Sequence, residues 1–160
     1  MELRGTGGRR TAWRVSLPNS RDDRGWFAMI PQRLVCVVED DEPLRLALAS
    51  LLRSFGYRIG CYESAEDFLK SPTVDSASCI ITDIQMPGLS GIELKQLLSA
   101  RNVDTPVIMI TARVEEEILV RAKASGAFAF FRKPFESAAL VESVDQALQR
   151  PGTDESTLNP

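Results

Sequence analysis

Asp83 ends an apolar run, Cys79-Ile80-Ile81-Thr82, and is followed by Ile84-Gln85-Met86-Pro87-Gly88. Two further charged groups share that setting. Glu39, Asp40 and Asp41 close the run Leu34 to Val38, and Lys133 follows the apolar stretch Ala127 to Phe131. In a parallel α/β sheet the carboxyl ends of neighbouring strands converge on one edge, where ligands bind. The groups therefore predict one pocket, with carboxylates around a cation and an ammonium opposite. Like charges in such proximity repel unless a cation lies between them. Glu39, Asp40 and Asp83 offer the hard oxygens that Mg²⁺ takes at roughly 2.1 Å. The alternative for Glu39-Asp40-Asp41 is a plain helix cap favoured by the helix dipole, and for Asp41 or Glu42 that is the expected role. Thr111, in Ile110-Thr111-Ala112, would bring a hydroxyl to the end of a fourth strand. Pro134 lacks an amide hydrogen and holds the Lys133 backbone extended.

The elements that must position these groups alternate along the chain. Leu34 to Val38 is short and apolar, as suits a strand buried on both faces. Pro43 marks the first turn of a helix, and Leu44, Leu48, Leu51, Leu52 and Phe55 recur at helical spacing until Gly56. Arg58 to Cys61 reads as the second strand. Ser64 caps a short second helix, with Asp67 three residues on and Phe68 and Leu69 pointing inward. Cys79 to Thr82 is the third strand. Ser90 with Glu93 forms a capping-box pattern opening a helix that carries Ile92, Leu94, Leu97 and Leu98. Val107 to Ile110, Glu115 to Ser125 and Ala127 to Phe131 read as strand, helix and strand. A last helix runs from about Glu136 to Leu148, with Leu140, Val141, Val144 and Leu148 on one face, before Pro151. Five strands alternating with five helices predict an α/β fold, a doubly wound parallel sheet in a three-layer sandwich.

Composition narrows the function. A hydrophobic fraction of 44% and a charged fraction of 26% in 160 residues suit one soluble domain with some tail. No apolar run approaches the ~20 residues that a bilayer requires, so no membrane partner is expected and the location expected is cytoplasmic. The net charge of −3 is uneven: the first 33 residues hold seven arginines against three acids, which leaves −7 on the rest. An acidic domain without a basic face is a poor nucleic-acid binder. The chain has no histidine, which excludes histidine bases, histidine metal ligands and a phosphohistidine of its own. Cys36, Cys61 and Cys79 share no metal-like spacing and read as small buried residues in a reducing compartment.

Residues 1–33 read as a disordered Arg-rich arm without the apolar core of a secretory signal. An RNA-binding or targeting tail is the alternative, and Met29 offers a second start. Residues 34–149 form the domain, and 150–160 a disordered tail.

Four motifs in order, Val37-Val38-Glu39-Asp40 with Arg45, Thr82-Asp83 through Gly88 with Gly91, Ile110-Thr111-Ala112 and Lys133-Pro134-Phe135, resemble the receiver domain of two-component response regulators, of the FixJ-like type. The resemblance spans about Leu34 to Leu148 and implies a flavodoxin-like sheet with strand order 2-1-3-4-5. It implies that Asp83 accepts a phosphoryl group from a phosphohistidine on a sensor histidine kinase or phosphotransfer protein. It further implies that Asp40 directly, Glu39 through water, Asp83 and the Gln85 carbonyl hold Mg²⁺. Lys133 would neutralise the phosphoryl oxygens, and Thr111, Ala112 and Ile84 would line the bound group. The family often has two aspartates where this chain has Glu39-Asp40.

By the same resemblance, Thr111 would swing toward the phosphoryl group and Phe130 would rotate inward; packing on the strand is the alternative role for Phe130. The face of the fourth helix, fifth strand and fifth helix would then engage a downstream protein target, and homodimerisation through it is common among relatives. Gln85 and Arg113 would tune acyl-phosphate lifetime. The expected protein is a stand-alone receiver with no enzymatic turnover beyond its own phosphotransfer and slow autodephosphorylation. The alternative is the receiver fragment of a helix-turn-helix regulator, although the polar residues after the last helix are too few for such a domain. A dehalogenase-type phosphatase would need a second aspartate where Gln85 stands, and no glycine-rich loop follows the first strand for a dinucleotide.

Overall fold

The computed structural model describes residues 33–113 and 115–149. The expected arm and tail lie outside this range, apart from Arg33. Its carbonyl accepts from the Arg58 amide at 3.1 Å, and its guanidinium donates to the Leu148 carbonyl.

The described residues form β1 (Leu34–Val38), α1 (Glu42–Ser54), β2 (Arg58–Tyr62), α2 (Ala65–Lys70), β3 (Cys79–Asp83), α3 (Gly91–Ala100), β4 (Val107–Thr111), α4 (Glu116–Ala124), β5 (Ala129–Arg132) and α5 (Ser137–Gln149). A 3₁₀ turn at Pro72–Asp75, which has no counterpart in the sequence reading, joins α2 to β3. All strand pairs are parallel, in the expected order β2-β1-β3-β4-β5. The chain moves outward from β1 to β2, then crosses back over β1 to β3. The order therefore reverses between β1 and β3, and a cleft opens at their carboxyl ends.

Side chains alternate between the two faces of each strand, which divides the core in two. Val35 and Val37 of β1 pack with Leu48 and Leu52 of α1 and Leu140 and Val144 of α5. Cys36 and Val38 pack with Phe68 of α2, Leu94 and Leu98 of α3 and Ala122 of α4. Burying one such Leu, Val or Phe side chain is worth about 1.5–3 kcal/mol, and this fixes which helix lies on which face.

The helix signals act largely as the sequence predicts. Ser90 and Glu93 form both halves of the capping box, Ser64 Oγ accepts from the Asp67 amide at 3.1 Å, and Gly56 and Gly126 take left-handed φ at the ends of α1 and α4. Four expectations change. Asp41 is the N-cap of α1 but makes no side-chain cap bond, and its amide donates to Glu39 Oε1 at 3.2 Å. Phe55, expected on the inner face of α1, is its C-cap and 54% exposed. Leu97 lies on the rim of α3 rather than within the core. Thr111 ends β4 as expected, whereas β3 runs one residue past its expected end to include Asp83, which pairs with Ile110 in the ladder.

Candidate functional site

Each acidic or basic group sits at a strand end that packing holds in place. Glu39 follows β1, whose five residues are all buried, and its own amide donates to the Tyr62 carbonyl at 3.0 Å. Its side chain turns inward: Glu39 is 1% exposed, whereas Asp40 points to solvent. Asp83 is 7% exposed. Lys133 directly follows β5, past the Thr111–Arg132 pair with β4, and its amide donates to the Thr111 carbonyl at 2.7 Å. The next peptide bond, Lys133–Pro134, is cis.

The ammonium of Lys133 joins the two carboxylates. Its Nζ lies 2.8 Å from Asp83 Oδ2 and 3.3 Å from Glu39 Oε2, across 50 and 94 residues of sequence. The other Asp83 oxygen, Oδ1, accepts from the Gln85 amide at 3.0 Å. Burial, then the nearby charge of Asp83, pushes the Glu39 carboxyl from 4.5 up to about 7, against the pull of the Asp41 amide and Lys133. Burial by itself would lower the Lys133 ammonium, but its hydrogen bond to Asp83 and the charges of both carboxylates hold it above its ordinary 10.5. One lysine thus leaves the pocket with negative charge to spare. Glu39, Asp40 and Asp83 each bring a carboxylate oxygen within 4.8 Å of the other two. Hard oxygens in that number, with unrelieved negative charge, fit a divalent cation of the Mg²⁺ type.

Thr111 is fully buried. Its Oγ1 accepts from the Arg113 amide at 3.0 Å, which leaves its hydroxyl hydrogen to donate. On β4 it lies on the same face as Met109, and Met109 pairs with Phe130 of β5, so Thr111 and Phe130 share that face. Phe130 is half-buried against the core beneath it. Ala112 lies exposed just beyond β4, as does Gln85 beyond β3. The Arg113 guanidinium pairs with Glu115 at 2.9 Å on the open surface.

Ile84 stands apart from the rest of the expected set. Its amide donates to the Ile110 carbonyl, and its carbonyl accepts from the Gly91 amide, both at 2.9 Å. Its side chain is buried in the core under α2, α3 and α4. With both main-chain groups committed, it has none to offer a phosphoryl oxygen.

Two contacts that hold the site were not foreseen in their roles. Arg45, buried on α1, donates from Nη1 to the Glu39 carbonyl at 2.7 Å and lies 3.7 Å from Glu63. It appeared in the first motif, but a helical arginine on a strand-end carbonyl has no sequence signature. The second is Glu66 of α2, which reaches the β3–α3 loop. Gly91, noted in the second motif, has a direct cause: a Cβ there would overlap the Asp83 carbonyl oxygen.

A doubly wound sheet in this order, with three carboxylates and a lysine gathered at the reversal between β1 and β3, defines a receiver-type α/β domain. The family model for the response regulator receiver domain matches residues 35–145, and the chain belongs to that family, which serves in two-component signalling. It is 38% identical over 117 residues to nodulation protein W of Bradyrhizobium diazoefficiens, covering 73% of this chain and 52% of that one. It is 38% identical over 122 residues to the transcriptional regulatory protein FixJ of Azorhizobium caulinodans, covering 76% and 58%. The chain thus spans about half the length of these curated relatives. The crystal structure of FixJ-N is similar with a TM-score of 0.68 at 32% identity, covering 76% of this chain and 97% of that one. Receiver domains are signalling domains that interact with histidine kinases or phosphotransfer proteins, and they generally bind Mg²⁺ at an acidic site such as this cluster. Among the described residues no helix is long and apolar enough to cross a membrane.

Proposed function

We propose that this chain is a phosphorylation-controlled receiver in which Asp83 is the phosphoacceptor. The observation that carries this reading is the Lys133 ammonium set between Asp83 and Glu39 at 2.8 and 3.3 Å. A carboxylate that is solvent-reachable, oriented on both oxygens and faced by a fixed cation is suited to attack phosphorus. The Asp83 oxygen forms the new O–P bond while the N–P bond of a partner's phosphohistidine breaks, and the imidazole leaves with the electron pair. The Gln85 amide and Lys133 each occupy one lone-pair direction of the carboxylate, leaving others open to the incoming group. Lys133 stays in place to meet the phosphoryl oxygens as charge develops. Glu39, Asp40, Asp83 and the Gln85 carbonyl would hold Mg²⁺, which when bound supplies positive charge to those oxygens.

After transfer the Thr111 hydroxyl and the Ala112 amide would bind the phosphoryl group, which adds about −1.5 to −2 charge. Thr111 would leave its bond from the Arg113 amide, and Phe130, on the same face, would turn into the vacated space. The surface of α4, β5 and α5 would change with it and engage the downstream target, with a homodimer through this surface as the form of assembly. Gln85 would orient an attacking water and Arg113 would shield the acyl phosphate; alanine at either position would then alter its lifetime.

Incubation with acetyl phosphate and Mg²⁺, read by intact mass, tests the assignment. Wild type should gain one phosphoryl group and Asp83→Asn none, and label retained by the variant would overturn the reading. Two forms are compatible with this activity, the first being a receiver that acts on its own in the cytoplasm. That the chain spans 52% and 58% of two relatives supports a second form, the receiver portion of a longer transcriptional regulator. Immunoblotting the native protein decides between them: a band near 17.7 kDa fits the first, and a longer product the second.

A further inference from the structure

We propose that Glu66, in the first turn of α2, is a positioning residue for the loop that follows Asp83, so that α2 helps set the phosphoryl-transfer geometry. This rests on the reading of Asp83 as phosphoacceptor. The loop from Ile84 to Ser90 carries Gln85, and its amides show where it is anchored. At the stem, Ile84 donates to the Ile110 carbonyl at 2.9 Å, Gly91 to the Ile84 carbonyl at 2.9 Å, and Gln85 to Asp83 Oδ1 at 3.0 Å. At the far end Ser90 donates to Glu93 Oε1 at 3.3 Å, within the α3 capping box.

Between these, the Leu89 amide donates to Glu66 Oε1 at 2.7 Å. It is the shortest of the five and charge-assisted. It also comes from outside the loop, from a residue 23 positions earlier. The preceding residue fits the same contact. Gly88 has φ +79°, and a Cβ there would overlap Glu66 Oε1. Glycine thus meets two demands at once, a left-handed backbone and a carboxylate in the space a side chain would fill. The Leu89 amide holds the Glu66 carboxyl below its ordinary range, and the first turn of a helix favours a negative charge. The acceptor is therefore ionised at neutral pH. Without it, Leu89 turns to water and the loop keeps only its two ends and the buried side chains of Ile84 and Met86.

The test compares Glu66→Ala, Glu66→Gln and Gly88→Ala with wild type. Amide proton shifts and hydrogen exchange of Gln85 and Leu89 report the loop without any phosphoryl chemistry. Glu66→Ala should move the Leu89 proton upfield and raise exchange at both amides. Phosphorylation by acetyl phosphate and Mg²⁺ affinity by calorimetry should fall several-fold, less than the ~10-fold minimum typical of groups that touch a metal ligand directly. Glu66→Gln keeps an oxygen acceptor and should recover most of the loss. Gly88→Ala should be less harmful on a Glu66→Ala background than on wild type, since only the φ strain then remains. If Glu66→Ala changes urea stability but leaves Gln85 exchange, Mg²⁺ affinity and transfer rate at wild-type values, Glu66 is structural only and the inference fails alone. A wild-type chain that takes no phosphoryl group ends both this inference and the reading beneath it.

Discussion

The central strands and the edge strands supply the same pocket under different constraints. Every residue of β1, β3 and β4 is buried, whereas β2 and β5 are half-buried and each carries one exposed arginine, Arg58 or Arg132. Glu39, Asp83 and Thr111 come from the centre, held by a core on both faces. Lys133 comes from the edge, beyond a strand packed less completely. Carboxylates that repel one another need a rigid mount, while the counter-cation and the half-buried Phe130 stand where packing yields.

Truncation at the two kinds of strand tests that contrast most strongly. Ile81→Ala in β3 should cost about 3 kcal/mol in urea unfolding. Phe131→Ala in β5, although it removes a larger side chain, should cost no more than about 2 kcal/mol, because part of its ring is already in water. Equal losses would break the comparison.

The cysteines sharpen it, since Cys36 and Cys79 lie in central strands and Cys61 in the edge strand β2. A thiol reagent at about pH 8 should modify Cys61 readily in the native protein and the other two only after unfolding. Burial pushes the Cys36 thiol from 9.0 to about 11 and that of Cys79 from 9.0 to about 12. Above pH 9 the unfolded chain releases these two protons while the folded chain keeps them. Their contribution to stability is therefore complete below pH 9 and is lost as pH rises toward 11 and 12. Urea midpoints taken across that window should decline, and less so for a Cys36→Ala, Cys79→Ala double variant.

The smallest effect concerns the loops themselves. Ser90 uses its side chain as a cap and Asp41 does not. Ser90→Ala should cost about 1 kcal/mol, and Asp41→Ala under about 0.5 kcal/mol, both by urea unfolding.

How far the sequence speaks follows the same division. Fully buried strands announce themselves as unbroken apolar runs ending in a charge, so Glu39, Asp83 and the order of elements around them are legible. Lys133 is legible because Pro134 follows it. The edges are less so. The fifth strand, expected at Ala127 to Phe131, forms at Ala129–Arg132, since a half-buried strand's ends depend on its partner's register. The 3₁₀ turn at Pro72–Asp75 has a local cap in Ser71 and a proline in its first turn, but a single turn is too short to show a period; Tyr62 adds tertiary support through hydrogen bonds to Ser71 at 2.9 Å and to Thr73. Phe55 keeps the helical period of α1 yet falls past its last turn, where period no longer implies burial. Arg45 and Glu66 act on main-chain atoms of other segments, and such contacts leave no spacing to read.

The near-contact between Gly91 and the Asp83 carbonyl has a mechanical consequence. Dense packing passes displacement on rather than absorbing it, and here the start of α3 rests on the peptide of Asp83, with the Gly91 amide bonded one residue further along. Any shift of the strand tip must therefore be handed to α3 as a push on a rod, and that helix becomes a lever whose far end lies at Ala100.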